Sequence, residues 1–163
     1  MASVVPISLE HAPGFRNALD AVARERIYLG QTEARSLEWA NEVVANNVKN
    51  NHAHFVALHD NDVVGWCDII PRTLPGFGHT GALGMGVVKS LRGCGIGKAL
   101  LLATIQRAIE TGLTRIELEV YVSNTTAIEL YQRNGFIEEG VKRKVRFLDG
   151  KYDDVLIMAM VTV

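Results

Sequence analysis

VVKSLRGCGIGK, residues 87–98, is the stretch of this sequence that decides the fold. An apolar strand, Ala82 to Val88, runs into it, and an amphipathic helix, Gly97 to Glu110, follows it. The first turn of a helix has up to four unpaired N–H groups and a partial positive charge, so it attracts anions. Glycines remove the Cβ atoms that would hold a phosphate away from those amides, and Arg92 adds a fixed positive charge at the rim. The stretch therefore predicts a phosphate-binding loop between a strand and a helix.

Three known phosphate-loop patterns compete for this stretch. The P-loop pattern fails at Arg92 and Ala99, where it needs a glycine and a hydroxyl residue. The dinucleotide-binding pattern fails at Lys98, where it needs its third glycine. The pattern Arg-x-x-Gly-x-Gly fits in full over residues 92–97. For the loop taken alone, the alternative is a glycine-rich turn that packs tightly and binds nothing.

A second motif lies downstream of the loop. A predicted strand, Arg115 to Val122, ends just before Asn124, and the next helix carries Tyr131 and closes at Gly135-Phe136. Upstream of the loop, the strand carries the pattern Met85-x-Val87. Together these motifs resemble the GNAT superfamily of N-acetyltransferases over about Val63 to Met160, and the sequence looks most like its branch that acetylates amino acids and other small amines.

The resemblance implies acetyl-CoA as co-substrate, with no metal. Its pyrophosphate would bind to the glycine loop, and its pantetheine arm would lie between two diverging strands. Cys94 is interpreted as a small packing residue, and the gaps left by Gly84 and Gly86 as room for the ligand or the acceptor. The residues predicted to bind the cofactor are Met85, Val87, Arg92, Gly93, Cys94, Gly95, Ile96, Gly97, Lys98, Asn124 and Tyr131.

The same resemblance assigns catalytic roles to Tyr131 and Glu119. Tyr131 would give a proton to the departing thiolate, and Glu119 would take one from the amine, with Glu117 in reserve. The Val87 N–H is the candidate donor to the oxyanion. Ordinary structural roles stay open for these positions: Asn124 as a helix cap, Tyr131 as an amphipathic helix residue and Glu119 as a solvated strand residue.

The predicted function is acetyl-CoA-dependent N-acetyl transfer to the primary amine of a small molecule, such as an amino acid or a related amine. The alternatives are acetylation of a protein N-terminus or lysine, and a non-catalytic coenzyme-A-binding module. Candidates for acceptor selection are Tyr28, Glu33, Trp66 and the loop 71–80.

The predicted fold class is α/β, in one domain over residues 1–163. The order β-α-α-β-β-β-α-β-α-β-β implies a mixed, mostly antiparallel sheet flanked by helices. The hairpin that ends the chain, at the edge of that sheet, is compatible with a homodimer. Its basic run, residues 142–146, is interpreted as one side of a solvated hairpin.

The composition of the chain disfavours or excludes several other classes of protein. The 17 Lys and Arg residues against 18 Asp and Glu give a net charge of −1, which does not favour a nucleic-acid partner. Two cysteines exclude a disulfide framework, and the five histidines have no metal-site spacing; His52-x-His54 is read as a polar entry to a strand. No apolar run is long enough to span a membrane, so a cytoplasmic protein is expected.

Overall fold

In the computed structural model, residues 1–162 form the element order that the sequence predicts. No helix within that range is long and apolar enough to cross a membrane. Two short 3-10 turns, Leu9–His11 and Lys89–Leu91, precede α1 and α3. The helices and strands are β1 (Ser3–Pro6), α1 (Ala12–Ala23), α2 (Leu37–Lys49), β2 (Ala53–His59), β3 (Asp62–Pro71), β4 (Thr80–Val87), α3 (Ile96–Glu110), β5 (Arg115–Tyr121), α4 (Thr125–Arg133), β6 (Ile137–Leu148) and β7 (Lys151–Val161).

The strands form one seven-stranded sheet in the order β1-β2-β3-β4-β5-β7-β6. Every neighbouring pair is antiparallel except β4 and β5, which run parallel. Because parallel neighbours need a crossover connection, the chain passes from β4 to β5 through α3. The predicted mixed, mostly antiparallel sheet is confirmed.

The parallel pair stays together over only three positions. Thr80, Gly81 and Ala82 lie opposite Arg115, Ile116 and Glu117. In the described part of the chain, the rest of β4, residues 83–87, does not pair with the rest of β5, residues 118–121. The two strands therefore diverge toward their C-terminal ends and leave an opening in the middle of the sheet.

Apolar layers cover both faces of the sheet. On one face, Leu118 and Val120 of β5 pack with Leu101 and Ile105 of α3 and with Tyr131 of α4. On the other face, Trp66 of β3 packs with Phe15 of α1 and Val44 of α2. β4, next to the opening, thus contacts α3 and α1, which belong to the layers on opposite faces.

The two glycines in the second half of β4 have different reasons to be glycine. A Cβ on Gly86 would lie 2.4 Å from the Trp66 ring, so Gly86 is required by the packing of that indole. A Cβ on Gly84 would meet only the Asp68 carboxylate, at 3.6 Å. The expected open space is therefore present at Gly84, whereas for Gly86 the expectation was wrong because Trp66 fills the space.

The basic run is more than one side of a solvated hairpin. Arg146 forms an ion pair with Asp153 at 2.9 Å, and its guanidinium lies 3.8 Å from the Tyr121 ring centre. It also donates hydrogen bonds of 3.2 Å to the carbonyls of Ile27 and Leu29. The sequence interpretation was wrong for this residue, which ties the β6–β7 hairpin to the segment between α1 and α2.

We expect Gly86→Ala to lower the free energy of unfolding by about 1–3 kcal/mol, because the new methyl group overlaps Trp66. Gly84→Ala is the matched control in the same strand, and it should leave that free energy unchanged or raise it by up to about 1 kcal/mol. Urea unfolding of both variants measures the difference. Equal losses in the two variants would contradict the packing role of Gly86.

Candidate active site

The glycine loop ends in a helix N-terminus without a side-chain cap. Gly93 and Gly95 have φ values of +78° and +83°, in the left-handed region that favours glycine. Gly95 is the N-cap residue of α3, and the N–H of Ala99 donates to its carbonyl at 3.1 Å. The N–H groups of residues 96–98 precede this first helical bond, so they are free for an anion attracted by the helix dipole.

A groove of about 740 Å³ opens at this loop, between β4, α3 and α4. Cys94 is not among its lining residues: its thiol is exposed and lies 3.8 Å from the Arg92 carbonyl. The interpretation of Cys94 as a packing residue was therefore wrong. The groove brings together the other residues predicted to bind the cofactor, which are Met85, Val87, Arg92, Gly93, Gly95, Ile96, Gly97, Lys98, Asn124 and Tyr131.

The backbone of β4 faces this groove with its free edge. Val88 N–H, just after β4, donates to the Val64 carbonyl at 2.9 Å. Because hydrogen-bonded positions alternate along an antiparallel pair, the even-numbered residues of β4 are the ones whose N–H and C=O groups bond to β3. Met85 and Val87 alternate with them, so their N–H and C=O groups point toward the opening. An extended chain with amide groups can hydrogen-bond to such an edge as an additional strand would.

Arg92 is held by other residues of the protein. Its Nε donates to the Val87 carbonyl at 2.9 Å, and its two terminal nitrogens bind the Glu25 carboxylate. The guanidinium also lies 4.7 Å from the ring centre of Tyr28. The hydrogen bonds to Glu25 raise the pKa of Arg92, so it stays charged. Arg92 thus clamps the segment after α1 onto the strand, and the loop amides are the groups left free for an anion.

Asn124 and Tyr131 bound the groove from α4. The Asn124 side chain accepts a 3.3 Å hydrogen bond from the Ala127 N–H, so it caps the helix as the structural alternative expected. Tyr131 is 7% exposed, and its ring centre lies 5.7 Å from that of Phe136. Burial raises the pKa of Tyr131, so its hydroxyl is protonated at neutral pH.

The two glutamates considered as bases lie outside the groove. Glu119 is 54% exposed and pairs with Lys142 on β6. Glu117 accepts hydrogen bonds from Arg72, at 2.7 Å, and from Arg115, at 3.2 Å. Burial opposes the ionisation of Glu117, but these two arginines lower its pKa overall. Each carboxylate would have to break an ion pair before it could take up a proton.

A second cavity, of about 610 Å³, lies on the face of the sheet covered by α1 and α2. Its lining includes Trp39, Trp66, Asp68 and Gly84. Met85 lines both this second cavity and the groove, so both spaces reach the free edge of β4.

The residues suggested for acceptor selection are divided among different places. Trp66 lines the second cavity and Tyr28 lines the groove. Glu33 pairs with Arg24 at 3.5 Å on the surface. The loop 71–80 contributes no lining residue to either space within the described chain.

Asp68 and His54 lie opposite each other in β3 and β2, behind the second cavity. The His54 side chain is fully buried, and its Nε2 lies 4.0 Å from Asp68 Oδ2 without a hydrogen-bond partner in the described structure. The amide nitrogen of Asn47 lies 3.1 Å from His54 Nδ1. Because an amide nitrogen donates, Nδ1 accepts, and a neutral His54 carries its proton on Nε2, toward Asp68.

Burial sets the charge states of this pair. It lowers the pKa of His54 to about 4, so the imidazole is neutral at pH 7. It raises the pKa of Asp68 to about 7, while 22% of the carboxyl side chain stays exposed. A carboxyl group that titrates near neutral pH inside a cavity is suited to proton transfer.

Asp68 was not among the residues predicted from the sequence. The predicted place of His54 at a polar strand entry was wrong, because His54 is 2% exposed. A usable signal lay in β3, where Trp66, Asp68 and Ile70 alternate on one face. A carboxylate in phase with large apolar residues indicates a buried acid. The partnership with His54 depends on strand register, for which no local pattern exists.

The chain is similar to known acetyltransferases. A family model described as the acetyltransferase (GNAT) family matches residues 18–136. The L-amino acid N-acetyltransferase AaaT of Escherichia coli (strain K12) is 35% identical over 107 residues, which cover 65% of this chain and 66% of that protein. The N-alpha-acetyltransferase of Sulfurisphaera tokodaii is 37% identical over 118 residues, covering 66% of this chain and 68% of that protein. The chain thus matches about two thirds of the length of these relatives.

A solved structure extends the likeness to nearly the whole chain. The putative acetyltransferase yncA from Salmonella typhimurium, solved with its cofactor acetyl-CoA, superposes with a TM-score of 0.92 at 15% identity. The superposition covers 99% of this chain and 94% of that one. At this identity the likeness concerns the fold.

We expect Asp68→Asn to raise the free energy of unfolding near pH 8 by on the order of 3 kcal/mol, and to change it little near pH 4. The pKa of this carboxyl rises from 3.8 in the unfolded chain to about 7 in the folded protein. At pH values between these two, the folded protein keeps a proton that the unfolded chain has lost. Stability contributed by this proton falls as pH rises through that range, and Asn removes the effect. Urea unfolding at both pH values measures it, with Asp60→Asn, in an exposed turn, as control. A gain that does not depend on pH would contradict the burial argument.

Proposed function

The chain belongs to the acetyltransferase (GNAT) family, and we propose that it transfers the acetyl group of acetyl-CoA to the primary amine of a small molecule, such as an amino acid or a related amine. The observation that carries this proposal is that two spaces both reach Met85. The groove there has free loop amides at one end and the free edge of β4 along its side, and the second cavity opens beside it.

The groove fits the parts of acetyl-CoA in order. The amides of residues 96–98 and the loop glycines would hold the pyrophosphate, with no Cβ at residues 93, 95 and 97 to keep it away. A Cβ on Gly97 would make only ordinary contacts, 3.7 Å from Met85 and 3.8 Å from Leu130, so the protein's own packing does not require glycine there. The N–H and C=O groups of Met85 would hold the pantetheine amides and bring the thioester to the opening, since the Val87 carbonyl already accepts a hydrogen bond from Arg92.

The reaction follows from groups at the opening. The neutral amine attacks the thioester carbonyl carbon, so that a C–N bond forms as the C–S bond breaks. The Val87 N–H can donate to the developing oxyanion. The protonated hydroxyl of Tyr131 gives its proton to the departing thiolate, and the proton that the nitrogen loses as the amide forms returns to the Tyr131 oxygen.

A second candidate function is acetylation of a protein N-terminus. Its support is the similarity to a relative named as an N-alpha-acetyltransferase. Glu119, the base expected for this activity, lies outside the groove and pairs with Lys142, which weighs against it. A non-catalytic coenzyme-A-binding module would bind acetyl-CoA without transferring its acetyl group to any amine, so that no thiol would be released.

The cytoplasmic location and the homodimer stay predictions.

We expect Tyr131→Phe to lower kcat by about 10-fold or more, with the Kd for acetyl-CoA changed by less than about two-fold, because the variant loses only the proton donor. Thiol release measures turnover, and isothermal titration calorimetry measures acetyl-CoA binding. Tyr152→Phe removes the same hydroxyl at an exposed position and serves as control. Full turnover by Tyr131→Phe would remove this residue from the mechanism.

We expect Gly95→Asp to abolish acetyl-CoA binding, because it adds a negative charge where the pyrophosphate would lie. Gly95→Asn is the matched variant: it shares with Gly95→Asp the backbone strain of a side chain at a φ of +83°, and in both a Cβ meets no atom within 4 Å. The Asn variant should therefore fold equally well and lose less affinity in calorimetry. Normal binding by the Asp variant would refute the assignment of the loop.

A further inference from the structure

We propose that the second cavity is the acceptor site, that Asp68 holds the ammonium group of the acceptor, and that the site selects primary amines with an apolar body and no carboxylate. This inference rests on the proposed function, because it takes the acetyl group to arrive through the groove, and it narrows the proposed acceptors to amines related to amino acids but without their carboxylate. It assigns a role to a residue of β3 that neither the groove nor the sequence motifs include.

The position of Asp68 suits an amine that must reach the thioester. Asp68 is paired with Gly84 in the sheet, and Gly84 is next to Met85, which lines both spaces. The absent side chain at Gly84 leaves the Asp68 carboxylate open to the cavity, since a Cβ there would lie 3.6 Å from Oδ1. An ammonium group bound to Asp68 therefore lies beside the free edge of β4.

The lining of the second cavity determines what the rest of the acceptor can be. Its walls are mainly apolar, with Phe15, Leu19, Trp39, Trp66 and Ile70 among them. Its volume of about 610 Å³ is typical of small-molecule sites. An apolar or aromatic body attached to the amine would be buried against these side chains.

Charge in the second cavity acts against an acceptor carboxylate. Its ionisable lining residues are Asp68 and Glu42, and no Lys or Arg is among the described residues that line it. Arg35 lies 5.5 Å from the ring centre of Trp39 but does not itself line the cavity. Just after β3 and in β5, Arg72 and Arg115 are bound by Glu117. A free amino acid would therefore bring a negative charge into a site that has two carboxylates and no cation to receive it.

His54 supports the ionised form of Asp68 from behind. Its buried Nε2–H faces the carboxylate at 4.0 Å, a partial positive charge with no other partner in the described structure. The groups facing Asp68 that carry or change charge are His54 from β2 and Glu42 from α2, while the cavity residues of α1 and β4 are not ionisable. The neutral imidazole of His54 can thus favour the carboxylate without competing for the amine.

Asp68 and Tyr131 together account for every proton that moves during the acetyl transfer. The ammonium of the acceptor gives one proton to the Asp68 carboxylate, and the free amine attacks the thioester carbonyl carbon. The nitrogen loses a second proton as the amide forms, and the thiolate that leaves takes up one proton through Tyr131. Asp68 then releases its proton to water through the cavity, so the net products are the acetylated amine, the thiol and one proton.

The first test compares acceptors that differ only in the carboxylate. Thiol release from acetyl-CoA is followed with 2-phenylethylamine, L-phenylalaninamide and L-phenylalanine. We expect kcat/KM for the first two to exceed that for the amino acid by roughly 100-fold. Equal or higher kcat/KM for the free amino acid overturns the proposed selectivity.

The second test uses variants at the cavity. Asp68→Asn should lower kcat/KM for 2-phenylethylamine by roughly 100-fold and leave the Kd for acetyl-CoA unchanged. Asp60→Asn, the same change in an exposed turn, should leave both values unchanged. Gly84→Val places methyl groups between Asp68 and the opening without a backbone conflict, so it should raise KM for the amine with normal acetyl-CoA binding.

The pH profile separates a direct role of Asp68 from a structural one. In the wild-type protein, kcat/KM should rise to a plateau with a midpoint near the carboxyl's pKa of about 7. In Asp68→Asn the plateau should disappear, and kcat/KM should keep rising toward the pKa of the amine, about 10. The same profile in both proteins overturns the assignment of Asp68.

The outcomes also separate this inference from the proposed function. If the wild-type protein does not bind acetyl-CoA in calorimetry, or if no amine, amino acid or short peptide releases thiol, the proposed function fails. If acetyl-CoA binds and acceptors react equally well with Asp68→Asn and Gly84→Val, only the assignment of the second cavity fails.

Discussion

The separation of β4 from β5 after three paired residues is the constraint on which the rest of this structure depends. A continuous sheet would satisfy the N–H and C=O groups of Met85 and Val87 within itself and would close the path between its two faces. The divergence leaves those groups for a ligand, apart from the Val87 carbonyl that Arg92 binds, and both the groove and the second cavity reach Met85 there. Leu118 and Val120 stay packed on α3 and α4, so the opening is held apart by core contacts.

Two arginines fix the segment that follows α1. This segment has no helix or strand and forms part of the wall of the second cavity, so these contacts hold that wall in place. Arg92 binds Glu25 and lies over Tyr28, while Arg146 donates to the carbonyls of Ile27 and Leu29. Leu29 and Gln31 then line the second cavity. Both ion pairs are partly buried, so salt screens them less than it would an exposed pair. Arg92 thus couples the phosphate loop to the wall of the cavity on the other side of β4.

The sequence predicted those parts of the site that one continuous segment contains. The loop at 92–97 combines local spacing with the left-handed φ of its glycines, so its place at the start of α3 could be read directly. Asp68 and His54 could not be found in this way, because their proximity depends on the register between β2 and β3. The clamp between Arg92 and Glu25 joins residues far apart in the chain, and Arg92 was therefore assigned to the phosphate alone. Glu119 matched a motif, but the position of β6 decides that it pairs with Lys142.

The groove and the second cavity, on the two sides of β4, favour ligands of opposite charge. On the groove side, the unpaired amides at the start of α3 favour an anion, and the lining has three cationic side chains against one carboxylate, Glu129. On the other side, Asp68 and Glu42 line a mainly apolar cavity and favour a cation. A phosphate-bearing donor and a positively charged acceptor would each be disfavoured in the other's space, so neither competes for the wrong site. Met85 lines both spaces, and neither its side chain nor its backbone is charged. The donor's neutral thioester is the part suited to that position, which brings it within reach of the amine.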